Sequence, residues 1–245
     1  MNDIEVKVDK RGNKYWLKNG KLHRDDGPAV ELKNGGKEYY KDGSWHRDGD
    51  LPAIEWNTGK YWYKNGKTHR ENDQPAIERA NGDKEWHKEG KLHRENGPAM
   101  TDKYGNKIWY KNGLMHREDG PALEYTSGEK RWYKNGKLHN DNGHAIERHD
   151  GDKEWYRDGE LHRDGDLPAV EQSNGVKRWF KNGKLHRENG PAVTAHGAEF
   201  YCLDGKDYTK KQFTEKMNEI NSLPRESQLS HPEQWVRERA KKSSK

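Results

Sequence analysis

The hydrophobic and polar positions of this chain alternate in short runs that return at a nearly constant interval. In residues 107–128, "KIWYKNGLMHREDGPALEYTSG", three short apolar runs are separated by turn residues. The same order of residues recurs around eight histidines that lie 23 or 24 residues apart. Short runs of this kind between dense turn signals predict an all-β meander. The eight repeats, numbered one to eight, contain in turn His23, His46, His69, His93, His116, His139, His162 and His186.

The first run of each repeat has the pattern Lys-x-aromatic, and a bulky residue usually follows it. Aromatic side chains favour strands because they pack on a pleated, half-buried surface. We therefore expect this position to carry the packing between neighbouring repeats, with ladders of aromatic rings across the strands. The aromatic residues are Trp16, Tyr39, Trp62, Trp86, Trp109, Trp132, Trp155 and Trp179.

A two-residue turn ending in glycine follows the first run in all eight repeats, most often as Asn-Gly. Asn-Gly between strand-like runs predicts a hairpin with a type I′ turn, which needs positive φ at both central residues. Glu89 fits that conformation poorly, which predicts a different turn in repeat four.

A second turn leads to Pro-Ala and to a candidate third strand, Val/Ile/Leu-Glu in most repeats. Proline cannot donate to a strand ladder, so it marks a strand start or an edge. Repeats two, three and seven carry an extra residue before Pro-Ala, at residues 49–51, 72–74 and 164–167. An insertion at this place is typical of a loop.

We predict an elongated, twisted antiparallel β-meander or solenoid of about eight 23-residue hairpin units over residues 1–206, including a degenerate ninth repeat at Tyr201. Residues 207–245 should form a small helical cap with a basic tail, because repeat arrays need a different terminal element. Thr209 and Gln212 make a capping box for a first helix. A second predicted helix carries Trp235, a candidate residue for docking a partner.

The composition limits the classes of protein that fit. Only 28% of residues are apolar and 36% are charged, but the 10 Trp and 12 Tyr occupy fixed places in the repeats, which argues against disorder. One cysteine forbids an internal disulfide framework, and no apolar run is long enough to cross a membrane. We expect a cytoplasmic protein without a cofactor.

The charge of the array is nearly balanced. Of the 47 basic and 42 acidic residues, residues 207–245 hold 9 and 6, which leaves 38 and 36 in the repeats. A nucleic-acid-binding surface prefers a stripe of one sign, so this balance disfavours that function.

Every repeat places an acid two residues after its histidine, with an arginine between them in seven repeats. Eight copies of one site do not resemble an active site, although His beside a carboxylate suits acid–base chemistry. Equivalent histidines about 10 Å apart cannot share a metal ion, and no recurring nucleophile accompanies them. We interpret the triad as structural: Arg pairs with acids of its own or the adjacent repeat, and His packs between aromatic rings and donates to a backbone carbonyl.

The pattern Trp-x-Lys-Asn-Gly-Lys-x-His resembles MORN-type repeats, and most closely their diverged variant class. The longer phrase "NGKLHRENGPA" is similar to repeat proteins of bacteriophages and large DNA viruses. Unlike the common MORN pattern, Arg and an acid follow the His, and an extra residue separates Trp from the turn. The resemblance implies a β-hairpin repeat sheet that acts as a scaffold or binds proteins, or in some members acidic lipids; one related family is an antitoxin family.

We therefore expect a non-enzymatic scaffold that binds a protein partner, plausibly a viral or phage factor that binds or inhibits a host protein in the host cytoplasm. Nucleic-acid or acidic-lipid binding through the Arg row and basic tail is one alternative, and a virion structural component is another. Association of two copies through their sheet edges also stays open. The candidate partner-binding residues besides Trp235 are Arg24, Arg47, Arg70, Arg94, Arg117, Arg163, Arg187, Asn140, His144 and His149.

Overall fold

A computed structural model describes residues 4–222 of the chain, and nearly all of its regular structure is antiparallel strand. The described chain divides into two compact bodies, one ending at Gly151 and one beginning at Asp152. A single helix within the described residues follows the last strands. This arrangement confirms the predicted class, an all-β repeat fold with a helix at its C-terminal end.

The N-terminal body contains two kinds of strand. Meander strands pair with their neighbours in chain order. Repeats two to six each also form a separate two-stranded hairpin, whereas in repeat one the strand Lys14–Lys18 belongs to both the meander and the hairpin. The meander strands are Ile4–Val8, Lys14–Lys18, Val30–Glu31, Lys37–Glu38, Ile54–Trp56, Gly59–Tyr61, Ile77–Arg79, Lys84–Glu85, Met100–Thr101, Lys107–Ile108, Leu123–Glu124, Lys130–Arg131 and Ile146–Glu147. The hairpins pair Lys14–Lys18 with Lys21–Leu22, Tyr40–Lys41 with Ser44–Trp45, Tyr63–Lys64 with Lys67–Thr68, His87–Lys88 with Lys91–Leu92, Tyr110–Lys111 with Leu114–Met115, and Tyr133–Lys134 with Lys137–Leu138.

The C-terminal body repeats the same plan. Its meander strands are Lys153–Glu154, Val170–Glu171, Lys177–Arg178, Val193–Ala195 and Ala198–Leu203. Its hairpins pair Tyr156–Arg157 with Glu160–Leu161, Phe180–Lys181 with Lys184–Leu185, and Ala198–Leu203 with Lys206–Tyr208. The candidate third strand of each repeat is therefore present throughout.

The conserved aromatic position of each repeat lies where the chain leaves the meander and enters the hairpin. In repeat five the amide of Trp109 donates to the carbonyl of Ala122 at 2.8 Å, and the amide of His116 donates to the carbonyl of Trp109 at 3.1 Å. The alanine of Pro-Ala is fully buried, at 0% exposure, and so is Ala145, which follows His144 in repeat six. A larger side chain there would have to displace the close-packed neighbours, which explains why alanine recurs.

The hairpin turns have the predicted type I′ backbone. Asn112 and Gly113 have φ of 54° and 85°. The prediction of a different turn in repeat four is wrong: Glu89 and Gly90 have φ of 52° and 82°. The amide of Glu89 donates to His69 Nδ1 at 3.2 Å, so a bond to the preceding repeat holds the left-handed residue in place.

The helix Lys210–Ser222 begins at the predicted capping box. The amide of Thr209 donates to Gln212 Oε1 at 3.0 Å, and the amide of Gln212 donates to Thr209 Oγ1 at 3.3 Å. Phe213 packs with Tyr201 and Leu203 in a small buried cluster, so the helix covers the last hairpin as predicted. The second predicted helix and Trp235 lie outside the described residues.

Within residues 4–222, no helix is long and apolar enough to cross a lipid bilayer.

Candidate binding surfaces

The arginine of the triad lies over the aromatic ring of its own repeat. In repeat five Arg117 Cζ is 4.1 Å from the centre of the Trp109 ring, while its Nη1 donates to the Pro121 carbonyl at 3.2 Å and to Glu124 Oε1 at 2.8 Å. Such a contact stabilises by about 0.5–2 kcal/mol, depending on desolvation. In seven repeats the structure thus places an arginine on the ring, where the sequence suggested ladders of rings. The same stacking is made by Arg24, Arg47, Arg70, Arg94, Arg163 and Arg187.

These seven arginine side chains are only 13% to 23% exposed. A row of phosphate-binding arginines would instead present its guanidinium groups to solvent. Most of the donors of these arginines are bonded within the chain.

The histidine of the triad uses both ring nitrogens: Nδ1 bonds to the next repeat, and Nε2 bonds to the acid of its own repeat. His93 Nδ1 accepts the backbone N–H of Asn112 in the next repeat at 3.1 Å, and its Nε2 lies 2.8 Å from Glu95 Oε1. Because Nδ1 accepts, the proton of the neutral ring lies on Nε2 and is donated to the carboxylate. The expected bond from His to a backbone carbonyl is therefore wrong; the ring accepts an amide instead. This hydrogen bond from His93 lowers the pKa of Glu95 below its usual value.

In repeat eight an acid occupies the turn position next to the histidine, as Asp42 does next to His23, whereas Asn112 holds this position next to His93. His186 Nδ1 lies 3.0 Å from Asp204 Oδ1, and its Nε2 lies 3.1 Å from Glu188 Oε1. The hydrogen bond to Glu188 and the charge of Asp204 raise the pKa of His186, against the effect of burial. Two carboxylates on one ring favour the protonated imidazolium.

The three inserted loops make a specific contact with the next repeat, which we call the aspartate clamp. In repeat three Asp73 has a left-handed φ of 54°, and its carbonyl accepts the indole N–H of Trp86 at 3.0 Å. Its carboxylate binds Arg94 in a bidentate manner, with Nε and Nη2 each at 2.8 Å. This geometry is among the strongest that a guanidinium makes with a carboxylate. The other two clamps join Asp50 to Trp62 and Arg70, and Asp166 to Trp179 and Arg187.

The clamps also bury the tryptophan that they contact. Trp62, Trp86 and Trp179 are 6%, 9% and 7% exposed, whereas the tryptophans at this position in the other repeats are only half-buried. The sequence reasoning assigned these insertions to a loop and missed this role. A signal was present, because only the three inserted repeats have Asp followed by Leu or Gln before Pro, where the other repeats have Gly.

Repeat six replaces the arginine–proline pair with Asn140 and His144. Asn140 Nδ2 donates to the His144 carbonyl at 2.7 Å, in the place of the bond from Arg to the proline carbonyl. The His144 ring lies edge-on to Trp132 with centres 5.2 Å apart, and its Nε2 is 3.6 Å from Glu147. Asn140 and His144 together thus replace the arginine, while His149 is exposed in the third turn.

The hairpins present a second row of side chains, which we call the hairpin row. Each hairpin places two residues directly opposite one another, and all of them are half-buried. In repeats two and three the rings of Tyr40, Trp45 and Tyr63 are in contact, with centre distances of 5.6 and 5.1 Å. The pairs are Leu17 and Leu22, Tyr40 and Trp45, Tyr63 and Thr68, His87 and Leu92, Tyr110 and Met115, Tyr133 and Leu138, Tyr156 and Leu161, and Phe180 and Leu185.

Consecutive repeats leave a polar notch between their triads. Where no residue is inserted, the notch between repeats one and two has a volume of about 440 Å³ and that between repeats four and five about 590 Å³. Where a clamp is present, the notch between repeats two and three measures about 280 Å³ and that between seven and eight about 220 Å³. The clamp therefore occupies space that stays open elsewhere.

Within residues 4–222 no three His, Cys, Asp or Glu side chains group as ligands for a metal ion. The lone cysteine, Cys202, is buried in the first strand of the last hairpin, and burial raises the pKa of its thiol to about 11. It is therefore uncharged near neutral pH.

Comparison of the chain with models of known protein families and with curated proteins finds no match.

Proposed function

We propose that the protein is a non-enzymatic repeat scaffold that binds a protein partner through the hairpin row. The observation that carries this proposal is the row itself: half-buried aromatic and aliphatic side chains at the same place in successive repeats of each body. Contiguous apolar surface of this kind is uncommon on a monomer unless it binds another macromolecule.

The division of labour between the two rows supports the same function. The residues that stack the repeats hardly vary: Ala of Pro-Ala, the aromatic residue, the histidine and its acid. The hairpin row varies from one repeat to the next, with Trp45, Thr68 and Met115 at one and the same position. A constant packing face with a variable exposed face is the way in which repeat proteins acquire specificity.

Aromatic side chains dominate the energetics of protein interfaces. The contacting rings of Tyr40, Trp45 and Tyr63 make the largest aromatic cluster of the hairpin row in the N-terminal body. Tyrosine and tryptophan are enriched among residues whose truncation costs 2 kcal/mol or more at an interface. We expect this cluster to lie at the centre of the contact with the partner. The resemblance of the repeat sequence to phage and viral repeat proteins makes a host protein the expected partner.

The experiment is affinity capture with the tagged protein from cells that naturally contain it, washed at about 50 and then about 200 mM salt. Trp45→Ala should reduce recovery of a stoichiometric protein by about tenfold or more, since tenfold corresponds to about 1.4 kcal/mol. Trp56→Ala is the matched control, because Trp56 is an exposed tryptophan in a meander strand of the same body.

Two results would contradict the proposal. Equal recovery with both tryptophan variants would remove the hairpin row from the contact. Recovery of nucleic acid that is lost between the two salt washes would favour the nucleic-acid alternative, because counterion release gives that dependence.

A further inference from the structure

The notch between repeats one and two contains an arginine edge that has no partner among the described residues. Arg47 lies over the Tyr39 ring at 3.6 Å, and its Nη1 donates to the Pro52 carbonyl at 3.1 Å and to Glu55 Oε1 at 2.6 Å. Its Nε and Nη2 point along the other edge of the guanidinium, for which residues 4–222 provide no acceptor. The notch around it has a volume of about 440 Å³.

Other repeats of this chain show which group binds to the Nε and Nη2 edge of an arginine. In the next repeat, Arg70 has the same stacking on its ring, the same bond to a proline carbonyl and the same pair with a glutamate. Its Nε and Nη2 bind the two carboxylate oxygens of Asp50 at 2.9 and 3.2 Å. Arg94 and Arg187 bind Asp73 and Asp166 in the same way. Three of the seven arginines therefore donate from Nε and Nη2 to a clamp aspartate. Arg47 offers the same two donors but has no clamp aspartate.

The charges around Arg47 permit a further carboxylate. The acids that line the notch are already paired: Asp25 with His23, Asp26 with Arg24, and Asp48 with His46. Arg70 donates to two carboxylates at once, those of Asp50 and Glu78, so a second carboxylate beside Glu55 would reproduce an arrangement that this fold already contains. A planar guanidinium that is fixed by stacking loses little freedom when it binds a carboxylate.

We infer that the notch between repeats one and two binds the carboxylate of an acidic loop on the protein partner, held in bidentate geometry by Nε and Nη2 of Arg47. This inference rests on the proposed function for its partner, and it adds the chemistry that the partner must present. An aspartate in a tight turn fits best, because Asp50, Asp73 and Asp166 all reach their arginines from a left-handed backbone.

A peptide titration followed by NMR tests the notch directly. The probe is a capped hexapeptide with the sequence of residues 48–53, Asp-Gly-Asp-Leu-Pro-Ala, and its matched control carries Asn in place of the second Asp. The readout is the side-chain Nε–H signal of Arg47, assigned by its loss in Arg47→Lys. The Nε–H of Arg70 is the internal reference, because Asp50 already occupies it.

The expected result is a saturable shift of the Arg47 signal, an unchanged Arg70 signal, and binding of the Asn peptide that is weaker by tenfold or more, as for the loss of a charged hydrogen-bond pair. No shift at Arg47, or equal shifts at both arginines, would overturn the inference. Equal binding of the two peptides would overturn it as well.

A self-filling variant connects the notch to the partner. Replacing Asp25-Asp26-Gly27-Pro28 of repeat one with Asp-Gly-Asp-Leu-Pro, as in residues 48–52, should supply Arg47 with a clamp of its own. This variant should lose the peptide response and recover about tenfold less partner, while its melting temperature stays at or above that of the unchanged protein.

The two proposals can fail separately. Partner recovery that is reduced by Trp45→Ala but not by the self-filling variant would overturn the notch inference and leave the hairpin row in place. A peptide response at Arg47 together with recovery that Trp45→Ala does not change would contradict the proposed function and keep the carboxylate site.

Discussion

The aspartate clamp in repeat three should contribute measurably to stability, and Asp73→Asn isolates its charge. Asparagine keeps the size of the side chain and tolerates the left-handed backbone, so the carbonyl bond to Trp86 is preserved. A charged hydrogen bond contributes about 1.5–3 kcal/mol when desolvated. The side chains of Asp73 and Arg94 are 46% and 19% exposed, so solvent screening reduces this to about 1 kcal/mol.

Thermal unfolding is the assay. For a chain of this size a loss of about 1 kcal/mol lowers the melting temperature by about 2–4 °C. The matched control is Asp26→Asn, which removes the single bond from Arg24 Nε within repeat one to a carboxylate that is 84% exposed. We expect that change to cost less than about 0.5 kcal/mol. Equal costs for the two variants would refute the claim that the inserted loops act between repeats.

Three further predictions concern the stacking face. Trp62→Phe should cost about 1 kcal/mol more than Trp109→Phe by chemical denaturation, because only Trp62 donates its indole N–H to a clamp carbonyl; equal costs would contradict this. The pKa of His186 is raised, so its contribution to stability should be complete below the ordinary histidine pKa of about 6.5 and be lost as the pH rises through the raised value; unfolding of the protein and of His186→Gln between about pH 5 and 9 checks the sign, and a pH-independent difference would contradict it. The double change Asn140→Arg and His144→Pro restores in repeat six the arginine and proline of the other repeats, and it should stabilise the chain by about 0.5–1 kcal/mol in a melting experiment. Destabilisation would contradict the interpretation that Asn140 and His144 only replace the arginine.

The sequence predicted the architecture well because the repeats multiply a weak signal. One Asn-Gly turn such as Asn112-Gly113 is modest evidence for a hairpin, but eight turns at a fixed interval leave few alternatives. The capping box at Thr209 and Gln212 was predicted for the same kind of reason, since both bonds are local.

The contacts between repeats were harder to predict because sequence spacing does not reveal direction. The acid two residues after His93 was expected to pair with the arginine, but Glu95 instead accepts from His93. Arg94 reaches back to Asp73, 21 residues earlier. Glu89 was expected to alter its turn, but the bond to His69 in the preceding repeat overrides its local preference.

The hairpin row was visible in the sequence only as bulky residues after the main aromatic position. Tyr40 and Tyr63 could not be distinguished from core residues by pattern alone, because each directly follows another aromatic residue, Tyr39 or Trp62. The structure separates them: Trp62 is buried under a clamp, whereas Trp45 and Tyr63 stay half-exposed in their hairpins. The candidate surface therefore moves from the arginine row to the hairpins and to the notch between repeats one and two, where Nε and Nη2 of Arg47 have no acceptor among residues 4–222.

Hydrogen exchange of the protein with and without its captured partner would test the central claim most directly. We predict slower exchange of the backbone amides in the hairpin strands Tyr40–Lys41, Ser44–Trp45 and Tyr63–Lys64, with little change in the third turn that contains Tyr104. Protection confined to that turn, with unchanged exchange in the hairpins, would contradict the assignment of partner binding to the hairpin row.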